Sequence, residues 1–257
     1  MSKKRNQYKA KFLKQQEIRK VTDNENTSVT TSSAEEDIMK KFGFNLPQHL
    51  SYWNDNLNIK SFERWCGDWT RPFKQETREY VIKNNYKSIL DVGAGLYSEY
   101  YGYKESGYDI KYEATEITPK YVRYGKERKI NVTLCSVEEM PYTDNSFDCC
   151  SCFDVLNHQL EYEKAIKEIL RVTKKEAIIS FFKPFEEDVE EGTFNPDEIV
   201  KTNHGFFIKK VMIEGKNVCL YSFFNKEKMK KFLDGLNVNY KFRIASDEKV
   251  MLYLKKK

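Results

Sequence analysis

Nowhere in these 257 residues do 18 or more apolar residues run together, and the basic N-terminal segment is not followed by an apolar stretch. Neither a membrane-spanning helix nor a secretory leader is expected, which makes the cytoplasm the expected compartment. Cysteine occurs six times but without the spacing of a disulfide framework, because Cys149, Cys150 and Cys152 crowd into one apolar run. Those three also lack a histidine or a second cysteine pair at ligand spacing, so buried thiols are expected there and a metal is not. The acidic run from Glu186 to Glu191 has no calcium-loop spacing and reads as a solvated loop. Histidine is scarce, confined to His49, His158 and His204, which leaves few candidates for a base near neutral pH. No internal repeat is present.

Residues 1–20 carry eight Lys or Arg against one Glu, and Lys255 to Lys257 add three more. Removing those contributions of +7 and +3 from the net charge of +5 leaves the body at −5. A basic tail on a mildly acidic body is not a basic binding face, although it keeps a nucleic-acid or anionic partner open. Residues 1–37 are charged, then rich in Ser, Thr, Asn and Glu, and are expected to be a disordered tail. From Ile38 the texture changes to a dense aromatic set that holds all three tryptophans, Trp53, Trp65 and Trp69. This segment, 38–85, reads either as helices packing on a sheet or as a substrate-facing lid. Pro72 suits the first turn of a helix running to about Asn85, with Phe73, Thr77, Tyr80 and Val81 on one face.

The chain is organised around Ser88 to Ser98, SILDVGAGLYS. A short apolar run enters Gly93-Ala94-Gly95, where the backbone can turn sharply and approach a ligand, and Tyr97 onward reads as helix. Strands then alternate with helices. Lys111 to Ile117 reads as a second strand ending in an acid, with a helix after Thr118-Pro119, and Ile130 to Cys135 as a third. Phe147 to Phe153 is a buried fourth, Leu160 to Val172 a helix, and Ala177 to Phe182 a fifth strand closed by Pro184. Such alternation argues for a parallel sheet covered on both faces, with ligands at the C-terminal ends of its strands. Beyond Pro184 come a hairpin signal about Gly215-Lys216-Asn217, a helix from Lys226 to Leu236 capped by Asn225, and an antiparallel pair from Val238 to Leu254.

Three features fall at one end of that sheet: the Asp91 to Gly95 turn, Glu116 after the second strand, and Ser136 to Glu139 after the third. A dinucleotide site prefers a third glycine or alanine where Ser98 stands. An acid after the second strand suits a ribose diol. Asp91 points away from a pyrophosphate and toward a ligand bearing an ammonium group, since a carboxylate at that strand end needs a cationic or polar partner.

The order of these motifs resembles the class I S-adenosylmethionine-dependent methyltransferases, in particular the broad type 11 group. LDVGAG, ATEIT and CSVEEMPYTDNSFDCC carry the likeness, and CFDVLNHQLEYEKAIKEILRVTK extends it, over about residues 86–183. The resemblance implies a Rossmann-like α/β fold with a seven-stranded, mostly parallel sheet and helices on both faces. A helical N-terminal cap and a β-hairpin insertion near the C-terminus complete it. Its domain would span 38–257, with a cofactor-binding core at 86–183 and the hairpin and last strands at 184–257. S-adenosyl-L-methionine would be held by Asp91, Gly93, Ala94 and Gly95 at its methionyl end, by Glu116 and Ile117 at the ribose, and by Ser136 and Val137 at the adenine. Phe153 and Asp154 would border the methyl. Two departures stand out: Ser136 where the family often has an acid, and Lys174-Lys175-Glu176 in place of a usual Pro-Gly-Gly turn.

Methyl transfer chiefly requires alignment and exclusion of water. Where the acceptor is a hydroxyl a base is wanted, and His158, directly after the fourth strand, is the best-placed candidate, with Asp154 as its partner or as a helix cap. The alternative for His158 is a surface or helix-entry role. Asp154-Val155-Leu156-Asn157 lacks the Pro-Pro-aromatic turn of enzymes that methylate exocyclic base amines. The expected acceptor is therefore an O or N atom of a small or sugar-like molecule. Nucleic acid, protein, or a non-catalytic partner-binding scaffold are the alternatives, and the oligomeric state is left open.

Overall fold

The computed structural model describes Trp53 and residues 66–182, 185–196, 199–212 and 217–257. The expected tail, and the part of the aromatic cap before residue 66 apart from Trp53, lie outside the described residues. Helix α1, Pro72–Lys83, opens with proline in its first turn, where the missing N–H costs nothing, and buries Phe73, Lys74, Thr77, Arg78 and Val81. Two of those five are cations one helical turn apart. Strand β1 (Ser88–Val92) leads through the glycine turn to α2 (Ser98–Ser106), β2 (Lys111–Glu116), α3 (Pro119–Glu127) and β3 (Val132–Leu134). Strand β4 (Phe147–Phe153), a 3₁₀ turn at Leu156–His158, α4 (Glu163–Val172) and β5 (Thr173–Phe181) follow. The remainder is β6 (Ile199–Thr202), β7 (Gly205–Met212), β8 (Asn217–Phe224), α5 (Lys226–Asp234), β9 (Val238–Ile244) and β10 (Val250–Lys256).

Seven strands form one sheet in the order β3-β2-β1-β4-β5-β10-β9. The first five run parallel, and β10 lies antiparallel between β5 and β9. Strand β1 sits at the centre, so Ile89, Leu90, Asp91 and Val92 are all buried, as both faces of a parallel sheet require. Alternation then sorts the core. Leu90, Val92, Cys150 and Cys152 face one layer with Ala165, Ile166 and Ile169 of α4, while Ile89, Cys149 and Ile178 face the other with Phe73 and Val81 of α1. Each fully buried Leu, Ile or Phe contributes about 1.5–3 kcal/mol to this packing.

Four expectations shift. Helix α4 starts at Glu163 rather than Leu160, since Leu156–His158 forms a separate 3₁₀ turn and Ser222 Oγ donates to the Gln159 carbonyl. Strand β3 is shorter than expected. Strand β5 begins at Thr173, straight out of α4, with no intervening loop. Its Glu176 is 3% exposed and accepts from the phenols of Tyr86 at 2.7 Å and Tyr80 at 2.9 Å, which is why a carboxylate stands where a glycine turn was anticipated. Finally, the expected hairpin of β7 and β8 gains β6 as a third strand, forming its own sheet. That sheet is fastened to the main one through Asn157, whose Nδ2 donates to the Ser222 carbonyl while its Oδ1 accepts from Phe182 N.

Candidate functional site

At the C-terminal end of β1 the chain turns through Gly93 and Gly95 at φ of +67° and +54°. A Cβ on Gly93 would lie 2.4 Å from Val155 Cγ2, so glycine there meets both a left-handed backbone and a close neighbour. Ala94 N donates to the Thr115 carbonyl, locking the turn onto β2. Just before it, Asp91 is 4% exposed. Its carboxylate accepts from Tyr112 Oη at 2.6 Å and from Ser151 Oγ at 3.3 Å, both from the neighbouring strands. Burial pushes its carboxyl up to about 7, with the charge of Glu99 adding to the rise and Tyr112, Lys74 and Ser151 opposing it.

On the adjacent strand, Glu116 is also buried. One of its oxygens accepts from Gly95 N at 2.8 Å and the other from Ile117 N and Thr118 N at 2.9 and 3.0 Å. Burial raises this carboxyl while the three amides pull it down. Glu116 thus fixes the glycine turn against the start of α3. Further along this end of the sheet, Ser136 Oγ accepts from Glu138 N, and Val137 is 7% exposed within the main core.

Behind Asp91 lies a set of buried charges from α1 and α2. Arg78 pairs with Glu99 at 2.9 Å, their side chains 6% and 1% exposed, and it also donates to the Trp69 carbonyl. Lys74 donates to the Cys66 carbonyl at 3.0 Å and to Ser98 Oγ. The second oxygen of Glu99 has no hydrogen-bond partner among the described residues. The Arg78 guanidinium passes close over Gly102, where a Cβ would sit 2.5 Å from it.

At the end of β4, Asp154 takes a left-handed backbone at φ +61°. Both of its carboxylate oxygens lie 2.9 Å from Lys249 Nζ, and Oδ1 also accepts from Ser180 Oγ. The Lys249 side chain is 3% exposed, and burial lowers its pKa against the pull of Asp154. His158 stands apart from this pair in the 3₁₀ turn, its ring edge-on to Trp53 at 4.7 Å and to Tyr221 at 5.2 Å. Phe153 meets Phe73 edge-on at 5.3 Å.

With a sheet of this order carrying acids at the ends of β1 and β2, residues 90–181 match the family described as Methyltransferase domain. That segment is similar to a methyltransferase family, and the fold is shared with S-adenosylmethionine-dependent methyltransferases of known structure. Among curated relatives, a demethylmenaquinone methyltransferase of Paenarthrobacter aurescens is 30% identical over 123 residues, which is 47% of this chain and 45% of the relative. The chain therefore spans about half the length of the curated relatives it matches. Among solved structures, the S-adenosylmethionine-bound amino pentose methyltransferase of Micromonospora echinaspora is 11% identical, with a TM-score of 0.58 over 79% of this chain and 98% of that one. The 1,6-didemethyltoxoflavin-N1-methyltransferase of Burkholderia thailandensis is 13% identical, with a TM-score of 0.54 over 90% and 93%. At those identities the likeness is one of fold.

In this fold the expected Asp91, Gly93, Ala94, Gly95, Glu116 and Ile117 come together about one turn, and Phe153 and Asp154 close the neighbouring strand end. His158 is on the same side of the sheet but on a different set of contacts. Tyr97 and Tyr103 are core residues, 0% and 2% exposed, and Tyr97 donates to the Tyr121 carbonyl. Cys149, Cys150 and Cys152 are buried free thiols. Sequence reasoning missed Lys74, Arg78, Glu99 and Lys249. Lys74 and Arg78 had a legible signal, since they share the helical face of Phe73, Thr77 and Val81; Lys249 had none. A groove lined by Lys167, Leu170, Arg171, Leu236, Val238 and Lys256 lies at the opposite end of the sheet, away from every one of these carboxylates.

Proposed function

We propose that the protein binds S-adenosyl-L-methionine and transfers its methyl group to an oxygen or nitrogen of a small-molecule acceptor. The observation that carries this is the pair of buried carboxylates, Asp91 and Glu116, on adjacent strands at the two sides of one glycine turn. Asp91 suits the ammonium of the methionyl end and Glu116 the ribose hydroxyls. Lys74, near enough to Asp91 to oppose its protonation, gives this end of the cleft both signs of charge, matching an amino-acid zwitterion. When bound, the cofactor supplies a methyl on a positively charged sulfur, which keeps the bonding pair as the acceptor atom takes the methyl and loses its proton.

The chain's own part is to bind, orient and exclude water. Glu116 fixes the turn through three amides, so the site is formed before the ligand arrives. Asp154, at the strand end next to Asp91's, has a carboxylate within reach of an acceptor proton, and His158 is a second candidate to receive it. Small-molecule acceptors are supported by relatives named for menaquinone, ajmaline and toxoflavin chemistry. Calorimetric titration of S-adenosylmethionine tests the reading. Saturable heat is expected with the native chain and a loss of at least tenfold in affinity with Asp91→Ala; no heat with the native chain would overturn it. Radiolabelled cofactor added to cell extract should then mark the small-molecule fraction rather than protein or nucleic acid.

A further inference from the structure

Only two large apolar side chains among the described residues are strongly exposed, Ile244 on edge strand β9 and Phe182 at 49%. Phe182 follows the last residue of β5, at the end of the sheet where parallel strands present their ligands. It is not an isolated ring. Tyr221 of β8 lies 6.5 Å from it, His158 lies 5.2 Å from Tyr221, and Trp53 lies 4.7 Å from His158. On its other side the Lys249 ammonium sits 4.8 Å from the Phe182 centroid, and the same ammonium holds Asp154. An aromatic wall thus ends at a carboxylate that is 27% exposed and backed by a cation that is 3% exposed. Lys249 balances the charge of Asp154, while Asp154 Oδ2, which among the described residues accepts from Lys249 alone, keeps a lone pair for an incoming donor.

Resting on the methyltransferase reading above, we propose that the acceptor is a planar aromatic molecule with an O–H or N–H, its ring against Phe182 and Tyr221 and its donor on Asp154. A polyhydroxylated sugar fits this wall poorly, because it brings several donors and acceptors to a surface that offers one exposed carboxylate. A nucleic-acid strand fits it poorly as well, because among the described residues the cation beside Phe182, Lys249, is buried and already paired. Lys249 is a positioning residue: it holds Asp154 in its left-handed bend and touches no acceptor.

The test uses the full chain loaded with S-adenosylhomocysteine, titrated with 1-naphthol, with 2-naphthylamine and, as counter-probe, with glucosamine. Saturable one-to-one binding of at least one naphthyl probe is expected. Phe182→Ala should weaken it about three- to tenfold, the range an aromatic pair contributes. Phe182 is half exposed, so this variant folds. The double variant Asp154→Asn/Lys249→Met, which leaves no unpaired buried amine, should weaken the naphthyl probes by a similar factor while affinity for S-adenosylhomocysteine stays within twofold. The inference is overturned if neither naphthyl probe binds, if both variants bind them as the native chain does, or if glucosamine binds more tightly than either. A native chain that does not take S-adenosylhomocysteine defeats the methyltransferase reading instead, and the naphthyl titrations are then read on the bare protein by the same criteria.

Discussion

Asp91 ionises near 3.8 when exposed and at about 7 in the folded protein, the difference set mainly by burial. A carboxyl raised in this way binds its proton more tightly in the folded state, so its cost to stability is absent below 3.8, grows as pH rises and is complete above about 7. An ammonium ligand requires the ionised form. Affinity for S-adenosylmethionine should therefore be about tenfold weaker at pH 5.5 than at pH 7, a range in which the ligand's own amino group keeps its proton. Asp91→Asn should bind weakly at both, so calorimetry at the two values would refute this if the native chain showed no pH dependence. The groups facing Asp91 that enter this balance are Tyr112, Ser151, Glu99 and Lys74. Asp91 and Glu116 were legible in the sequence because each is tied to a local motif, a strand end before a turn. Lys74, Arg78 and Glu99 were missed, because amphipathic reasoning assigns charges on a helix to solvent, whereas Arg78 pairs with Glu99 inside and Lys74 donates to the Cys66 carbonyl and to Ser98. Asp154 was legible as a site residue, but its partner lies 95 residues away.

Between residues and topology, the junction of β1 and α2 is the element most sensitive to a single methyl. Gly93→Ala should lower the melting temperature and weaken cofactor binding by at least tenfold, because the new Cβ meets Val155 and the backbone stays at φ +67°. Adding Val155→Ala should restore part of the stability and not all of it, since it removes the clash and leaves the dihedral cost of about 1 kcal/mol. Full recovery in thermal melts would show that the contact alone matters. Strand β4 was read from sequence with its observed bounds, since a run such as FDCCSCF carries its own boundaries. The start of β5 was misplaced because Thr173, Lys174 and Lys175 look like a turn until Glu176 finds two phenols. Strand β6 was missed because four residues, two of them half-buried apolar, give too little alternation to read.

In the molecule as a whole, Phe224 packs the smaller sheet into the main core and Asn157 adds two hydrogen bonds between them. Asn157→Ala should leave protection in β1, β4 and β5 unchanged and speed amide exchange in β6, β7 and β8, as expected for a sub-global unit opened by about 1–3 kcal/mol. Uniformly faster exchange across both sheets would contradict that division. The sequence alone foretold alternation and a parallel sheet, while the strand order, with β10 inserted between β5 and β9, depends on long-range pairing that no local pattern encodes. The same dependence bears on how far the recognisable segment is a physical unit. Residues 90–181 match the methyltransferase domain, yet Glu99 finds its counter-ion at Arg78, upstream of that segment, and Asp154 finds its own at Lys249, downstream. A chimera that grafted 90–181 alone into a foreign chain would bury Glu99 without its cation, at about 3–5 kcal/mol, and would leave the half-buried Asp154 without its own. The unit that carries these charges together with their partners reaches at least from Arg78 to Lys249.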